Sequence, residues 1–200
     1  MTDCKILQER GGWHEDQLAN RCTFPIAPVN TYSNLAYVLA GLFIFSQLPN
    51  LAGFVQALAM AYLGVTSALY HGTKRGWAAK LDHSGMYAGF TALTVYVLAP
   101  TNPFIGPTMA LVAPIVAWRL AYHSSWTLLY PFMGVFVTIS FLAGVLNGDP
   151  LLAATGLLTL VFAYIIWWRD KKKLFWPAGW GHGLWHVLTA TAFVALFLAR

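Results

Sequence analysis

Charged residues are scarce in this sequence. They account for 10% of its 200 residues, whereas 58% are hydrophobic and the mean hydropathy is +0.58. Because a soluble domain carries about 25% charged residues, this chain has too few to cover a surface that faces water. The composition therefore excludes an ordinary soluble domain and predicts an integral membrane protein.

Several other features are missing from the sequence. Residues 1–29 contain no apolar stretch of the kind that a cleavable signal requires, so we expect the apolar segment that begins near Asn30 to direct insertion. The only cysteines, Cys4 and Cys22, lie in this polar tail, and their spacing leaves open whether they pair. The sequence also has no Gly-rich phosphate loop and no nucleophile elbow.

Seven apolar segments approach the length of a membrane-spanning helix, which is about 20 residues. Short connections rich in Pro, Gly and Asn separate most of them. We therefore predict an all-α fold: a polytopic membrane protein whose residues 30–200 form a seven-transmembrane-helix bundle, preceded by a polar tail, residues 1–29, with at most a short interfacial helix. The segments lie near residues 30–48, 52–71, 83–99, 104–121, 126–146, 150–168 and 181–199.

The 12 Lys and Arg residues predict the orientation of this bundle. With seven spans, all of them except Arg200 fall on the side of the N-terminal tail. Because Lys and Arg are enriched in cytoplasmic loops, we expect the N-terminus to face the cytoplasm. The basic residues lie between spans and set topology, so the net charge of +5 does not indicate nucleic-acid binding.

Three histidines are predicted to lie at one depth in the membrane. His71 ends the second span, and His182 and His186 begin the seventh span on the same side of the bundle. His182 and His186 are four residues apart, which places them on one face of a helix. Three neutral imidazoles with an open fourth position are typical of a catalytic zinc site, so these histidines are candidate zinc ligands.

Two further polar residues accompany the histidines. Asp82 lies at the start of the third predicted span, where a carboxylate is costly and usually marks a function or a partner; it could accept a proton from water or hold a ligand imidazole. Ser67 precedes His71 by four residues and could bond a water or an oxyanion. A favourable charge at a helix N-terminus is the structural alternative for Asp82, and helix packing is the alternative for Ser67.

The first span begins with the sequence NTYSN, which contains Asn30, Ser33 and Asn34. Their side chains can form hydrogen bonds between helices or within the histidine site. We favour the structural role from the sequence alone.

The motifs NTYSN (30–34), SALYH (67–71), LDHSGMY (81–87) and GHGLWH (181–186) resemble the alkaline ceramidase family. More broadly, they resemble a seven-span superfamily that includes adiponectin and progestin receptors and lipid-remodelling hydrolases. The resemblance extends from about Trp13 to Arg200. It implies a zinc-dependent amidase that splits ceramide into a sphingoid base and a fatty acid, with His71, His182 and His186 as zinc ligands and Ser67 and Asp82 as catalytic residues.

The resemblance is incomplete in the N-terminal tail. Eukaryotic ceramidases of this type bind calcium through a DWxExN stretch and a later Glu, and this chain has Gly12, Trp13, Glu15, Gln17 and Ala27 at those positions. Only Trp13 and Glu15 match, so the resemblance gives calcium only partial support. The compact length is typical of a bacterial member, which predicts the bacterial inner membrane. Since many bacteria lack ceramide, other N-acyl lipids are also expected substrates.

Two other functions fit the histidines. The first is a receptor or stress-response protein with a structural zinc, Asp82 as its fourth ligand and residual hydrolase activity. The second is a haem-binding membrane protein, because paired histidines on helices also ligate haem. The sequence does not predict the oligomeric state.

Overall fold

The described part of the chain folds into helices alone. A computed structural model describes residues 23–98, 119, 126–174, 177 and 179–200, and this part contains no β-strand. Five long helices follow two shorter ones at the N-terminal end. The helices are α1 (Pro28–Tyr32), α2 (Leu35–Gln47), α3 (Leu51–Thr73), α4 (Gly76–Leu98), α5 (Trp126–Asn147), α6 (Pro150–Lys171) and α7 (Gly181–Leu198).

Local sequence signals set the ends of the helices. Asp149 caps α6, because its carboxylate accepts hydrogen bonds from the backbone N–H groups of Leu151 (2.8 Å) and Leu152 (3.0 Å). Pro150 follows at the first helical position, where its missing N–H has no cost. Asn50 caps α3 in the same way, with its side-chain oxygen 3.1 Å from the nitrogen of Gly53. These caps allow helices to follow one another with only a few residues between them.

Four helices are long and apolar enough to cross a membrane, which indicates a membrane protein. Among the described residues these are Leu51–Thr73, Leu129–Asn147, Pro150–Lys171 and Gly181–Leu198, and they coincide with four of the predicted spans. The predicted span 104–121 lies outside the described residues apart from Arg119, as does the tail up to residue 22. The complete seven-span bundle stays a prediction.

The first and third predicted spans differ from the helices observed. The segment 30–48 is not one helix: it is divided at Ser33 and Asn34 into the short α1 and the 13-residue α2. The third span was predicted to begin at residue 83, but α4 begins at Gly76. Asp82 therefore lies nearly two turns inside a helix, which removes the helix N-terminus as the reason for its charge.

The hydrophobic core lies between α2, α3, α4 and α7. Phe90 of α4 and Phe193 of α7 meet there with ring centroids 4.8 Å apart. In contrast, α5 and α6 cover one side of this core and expose large apolar side chains, such as Leu146 and Leu151 at 75% and 76% exposure. Apolar side chains on an outer surface are suited to contact with lipid.

Candidate functional site

The three predicted histidines converge in the folded chain. His71 is near the end of α3, and His182 and His186 are in the first turns of α7. All three are buried, and the Nε2 atoms of His71 and His182 lie 3.2 Å apart. The ring centroid of His186 is 5.1 Å from that of His71 and 4.6 Å from that of His182. The expectation that the three histidines lie close together is therefore confirmed, and their common depth in a membrane stays a prediction.

The spacing of these imidazoles suits a metal ion. One ligand atom from each residue can be chosen so that all three lie within 4.8 Å of one another. Nitrogens about 2.05 Å from a tetrahedral zinc ion stand about 3.3 Å apart. The pair His71 and His182 already has this separation, and the third ring needs to close by about 1.5 Å at most. The cluster can hold a metal ion, although imidazole alone also suits copper, iron and nickel.

Asp82 lies beside the histidines with one oxygen available. The carboxylate is buried, and the hydroxyl of Ser67 donates a hydrogen bond to it. No donor in the described part of the chain reaches its Oδ1 atom. A buried acceptor without a partner costs about 1–3 kcal/mol, so its retention next to His71 and His182 in one cavity points to a ligand or a water at this oxygen. Ser67 thus contacts Asp82, and its predicted hydrogen bond to a water or an oxyanion stays a prediction.

The Nδ1 atoms of two of the histidines also form hydrogen bonds. The Oγ atom of Ser33 lies 2.8 Å from Nδ1 of His186, and Nζ of Lys74 lies 3.1 Å from Nδ1 of His71. Each contact fixes the orientation of its ring. Because an ammonium group only donates, Lys74 favours the tautomer of His71 that carries its hydrogen on Nε2, and this hydrogen would have to leave before Nε2 of His71 could bind a metal ion. A structural role was predicted for the NTYSN residues. Asn34 has such a role, since it donates to the carbonyl oxygen of Asn30 at 2.6 Å, but Ser33 contacts the site.

Lys74 is the residue of the site that the sequence analysis did not identify. It was counted there as a loop charge between spans, but only Lys74 and Arg75 separate α3 from α4 and Lys74 is 2% exposed. Its backbone is left-handed, with a φ of 53°, a conformation that usually selects Gly after a helix. The turn directs the side chain back along α3, where its ammonium group is also 5.0 Å from the ring centroid of Tyr70.

A cavity of about 310 Å³ extends from the histidines into the bundle. This volume is at the lower end of the range for small-ligand pockets, about 300–1,000 Å³. The polar end contains His71, Asp82 and His182. The walls beyond them are apolar and come from α4, α5 and α6: Met86, Phe90, Leu129, Met133, Val137, Leu157, Leu160 and Val161.

The cavity opens between α5 and α6. Gly134 of α5 and Val161 and Tyr164 of α6 line the cavity and are also exposed on the outer surface. A Cβ at Gly134 would have no atom of the described residues within 4 Å, so α5 and α6 themselves do not close over this position. Tyr130 is at the same opening, with its ring 5.9 Å from that of Trp167. Within the described residues, the cavity therefore reaches the outer surface between these two helices.

Comparisons with known proteins add no identification. No protein-family model and no curated protein match this chain. The candidate function therefore depends on the geometry of the site and on the resemblance of its motifs.

Proposed function

We propose that this protein is a zinc-dependent membrane hydrolase that cleaves the amide bond of an N-acyl lipid, ceramide or a related compound, to a long-chain base and a fatty acid. The observation that supports this proposal most directly is that a polar cluster and an apolar cavity adjoin each other. Three buried imidazoles and a carboxylate with an available oxygen stand at the polar end of an apolar cavity that opens sideways. An amide placed at that end would have its acyl chain in the cavity.

His71, His182 and His186 would hold the zinc ion. When bound, zinc supplies Lewis acidity, which polarises the amide carbonyl and makes water a better nucleophile. Three neutral ligands leave the net positive charge of the ion intact and a fourth position open. This donor set favours a catalytic role over a structural one.

Asp82 would move the proton in the reaction. Its Oδ1 atom accepts a proton from the attacking water, whose oxygen forms a bond to the carbonyl carbon. The amide C–N bond then breaks, and Asp82 returns the proton to the leaving nitrogen, so the products are an amine and a carboxylic acid. Ser67 donates to the carboxylate of Asp82, which keeps the group in place during both transfers.

The dimensions of the cavity support a substrate with one acyl chain in the bundle. The wall of α6 extends from Trp167 to Leu157, which is about 15 Å at 1.5 Å per residue. An extended alkyl chain advances about 1.25 Å per carbon, given C–C bonds near 1.52 Å. The length of this wall therefore matches roughly 12 carbons of one extended chain.

We also propose that the site faces the cytoplasmic leaflet of a bacterial inner membrane. Four basic residues lie at the end of the bundle that holds the histidines: Arg75 between α3 and α4, Lys80 near the start of α4, and Arg169 and Lys171 near the end of α6. This distribution supports a cytoplasmic location by the positive-inside rule. Lys74 carries less weight in this comparison because it is buried.

Cobalt substitution of the purified protein, combined with hydrolysis of an N-acyl lipid, tests the proposal. We expect the visible spectrum to change when a carboxylic acid product is added, and Asp82→Asn to keep the metal but lose turnover. The opposite result would be a visible spectrum that does not change when product is added, together with loss of the metal in Asp82→Asn. It would favour the receptor-like alternative, in which Asp82 is the fourth ligand of a structural zinc. A haem site is disfavoured, because 3.2 Å between the Nε2 atoms of His71 and His182 leaves no space for a porphyrin between them.

A further inference from the structure

One ring of the histidine cluster is held from the N-terminal side of the chain. Ser33 follows α1 directly, and its Oγ atom is 2.8 Å from Nδ1 of His186, 153 residues away. The same oxygen is 3.3 Å from the carbonyl oxygen of Asn30, to which it donates. Because a hydroxyl has one hydrogen, an Oγ that donates to Asn30 acts as an acceptor toward His186.

This direction of donation determines the tautomer of His186. If Ser33 accepts, Nδ1 of His186 carries the hydrogen, and the lone pair of the neutral ring is on Nε2. This tautomer leaves Nε2 free to coordinate a metal.

The backbone around Ser33 is fixed to both ligand helices. The N–H of Ala27 donates to the carbonyl oxygen of His71 at 3.3 Å, so the segment before α1 is attached to the end of α3. On the other side, α1 packs closely on α7 at Gly183, where a Cβ would come within 2.7 Å of Val29 and 3.4 Å of Ser33. The absence of a side chain at Gly183 thus permits the approach that brings Ser33 to His186.

We propose that Ser33 is a positioning residue for the metal site: it holds His186 in the Nδ1–H tautomer with Nε2 directed at the other two histidines. The part of this inference that concerns metal affinity rests on the function proposed above, whereas the part that concerns the tautomer does not. Hydrogen-bond partners of ligating histidines typically change metal affinity by 10- to 100-fold when they are removed.

The experiment compares the full-length protein with three variants. Ser33→Ala removes the acceptor, and Ser33→Thr retains a hydroxyl. Ser46→Ala is the matched control, because the Ser46 hydroxyl also donates to the carbonyl oxygen three residues before it, at Phe43, but lies on the exposed side of α2. The tautomer of His186 is measured by ¹⁵N NMR of the metal-free protein, and the affinity for Zn²⁺ is measured by chelator competition.

We expect His186 of the unmodified protein to carry its hydrogen on Nδ1. Ser33→Ala should reduce this tautomer and weaken Zn²⁺ binding by about 10- to 100-fold, Ser33→Thr should restore most of both, and Ser46→Ala should change neither. The inference is overturned if the unmodified protein carries the hydrogen on Nε2, a result that needs no variant to fold. It is also overturned if Ser33→Ala keeps the tautomer and the affinity, since the hydroxyl of Ser33 would then not be what fixes the ring. If the unmodified protein binds no Zn²⁺, the proposed function fails and the NMR result still decides the role of Ser33.

Discussion

Filling the opening at Gly134 should shorten the acyl chains that the protein accepts. Gly134 lines the cavity on α5 and has open space beyond its Cβ position. At 1.5 Å per residue it is about 7.5 Å along α5 from Leu129, at the histidine end, whereas Val137 is about 12 Å away. An extended chain of about six carbons ends near Gly134, and one of about ten carbons ends near Val137.

The expected penalty for Gly134→Leu is steric. An acyl chain that moves from the bilayer into the cavity leaves one apolar environment for another, so burial itself supplies little free energy. Overpacking an apolar site costs about 1–3 kcal/mol, which corresponds to about a 5- to 140-fold decrease in kcat/KM at 1.4 kcal/mol per factor of ten. We expect this decrease for C12 and C18 N-acyl sphingoid bases and little change for C6.

The assay measures fatty-acid release from the three substrates by mass spectrometry, with Gly76→Leu as the matched control. Gly76 also has open space beyond its Cβ, but it begins α4 and does not line the cavity. Both changes replace Gly by a better helix former, so neither should unfold the protein. Equal loss with C6 and C18 in Gly134→Leu, or equal effects of the two variants, would refute an acyl chain in this cavity.

Three further predictions concern the site and its support. Zn²⁺ at 100 times its Kd should stabilise the protein by about 2.7 kcal/mol, and His182→Ala should abolish this effect. If scanning fluorimetry shows that Zn²⁺ raises the melting temperature of the variant as much as that of the unmodified protein, His182 is not a ligand. Asp82→Asn should retain one zinc per chain and lower kcat by about 10²- to 10⁴-fold, and unchanged kcat would exclude a proton-transfer role. Gly85→Ala should lower the unfolding free energy by about 1–3 kcal/mol, because its Cβ would lie 2.9 Å from Cα of Leu63 and 2.6 Å from Oγ1 of Thr66. Denaturant unfolding measures this change, and an unchanged midpoint would contradict the close packing of α3 and α4.

The histidine cluster could be predicted from sequence because its constraints are local or follow from topology. The separation of four residues fixes His182 and His186 on one helix face. Whether they lie on the same side of the bundle as His71 depends only on which end of each apolar segment carries the histidines. Asp82 could be placed near this cluster for the same reason, although its position inside α4 was missed because the polar start of that helix, GWAAKLD, carries no apolar periodicity.

Ser33 and Lys74 could not be assigned in this way. The role of Ser33 depends on a contact with His186 across 153 residues, which no local pattern encodes. Lys74 has the sequence context of an exposed loop residue, and its burial follows from a left-handed backbone at the end of α3 that ordinarily selects Gly. The first apolar segment is divided at Ser33 and Asn34, where both side chains donate to the carbonyl oxygen of Asn30. Such local bonds compete with a continuous helix, but the same side chains could equally bond between helices, so the sequence did not predict the division.

The most direct test of the central claim is to measure bound metal and lipid hydrolysis on one purified sample. Zinc is determined by mass spectrometry, and fatty-acid release from C12 and C18 ceramides is followed with and without a chelator. The proposed function predicts one zinc per chain and release that stops when the chelator removes it and resumes when zinc is returned. Release that continues after complete removal of the metal, or a chain that binds no divalent metal with His71, His182 and His186 intact, would contradict it.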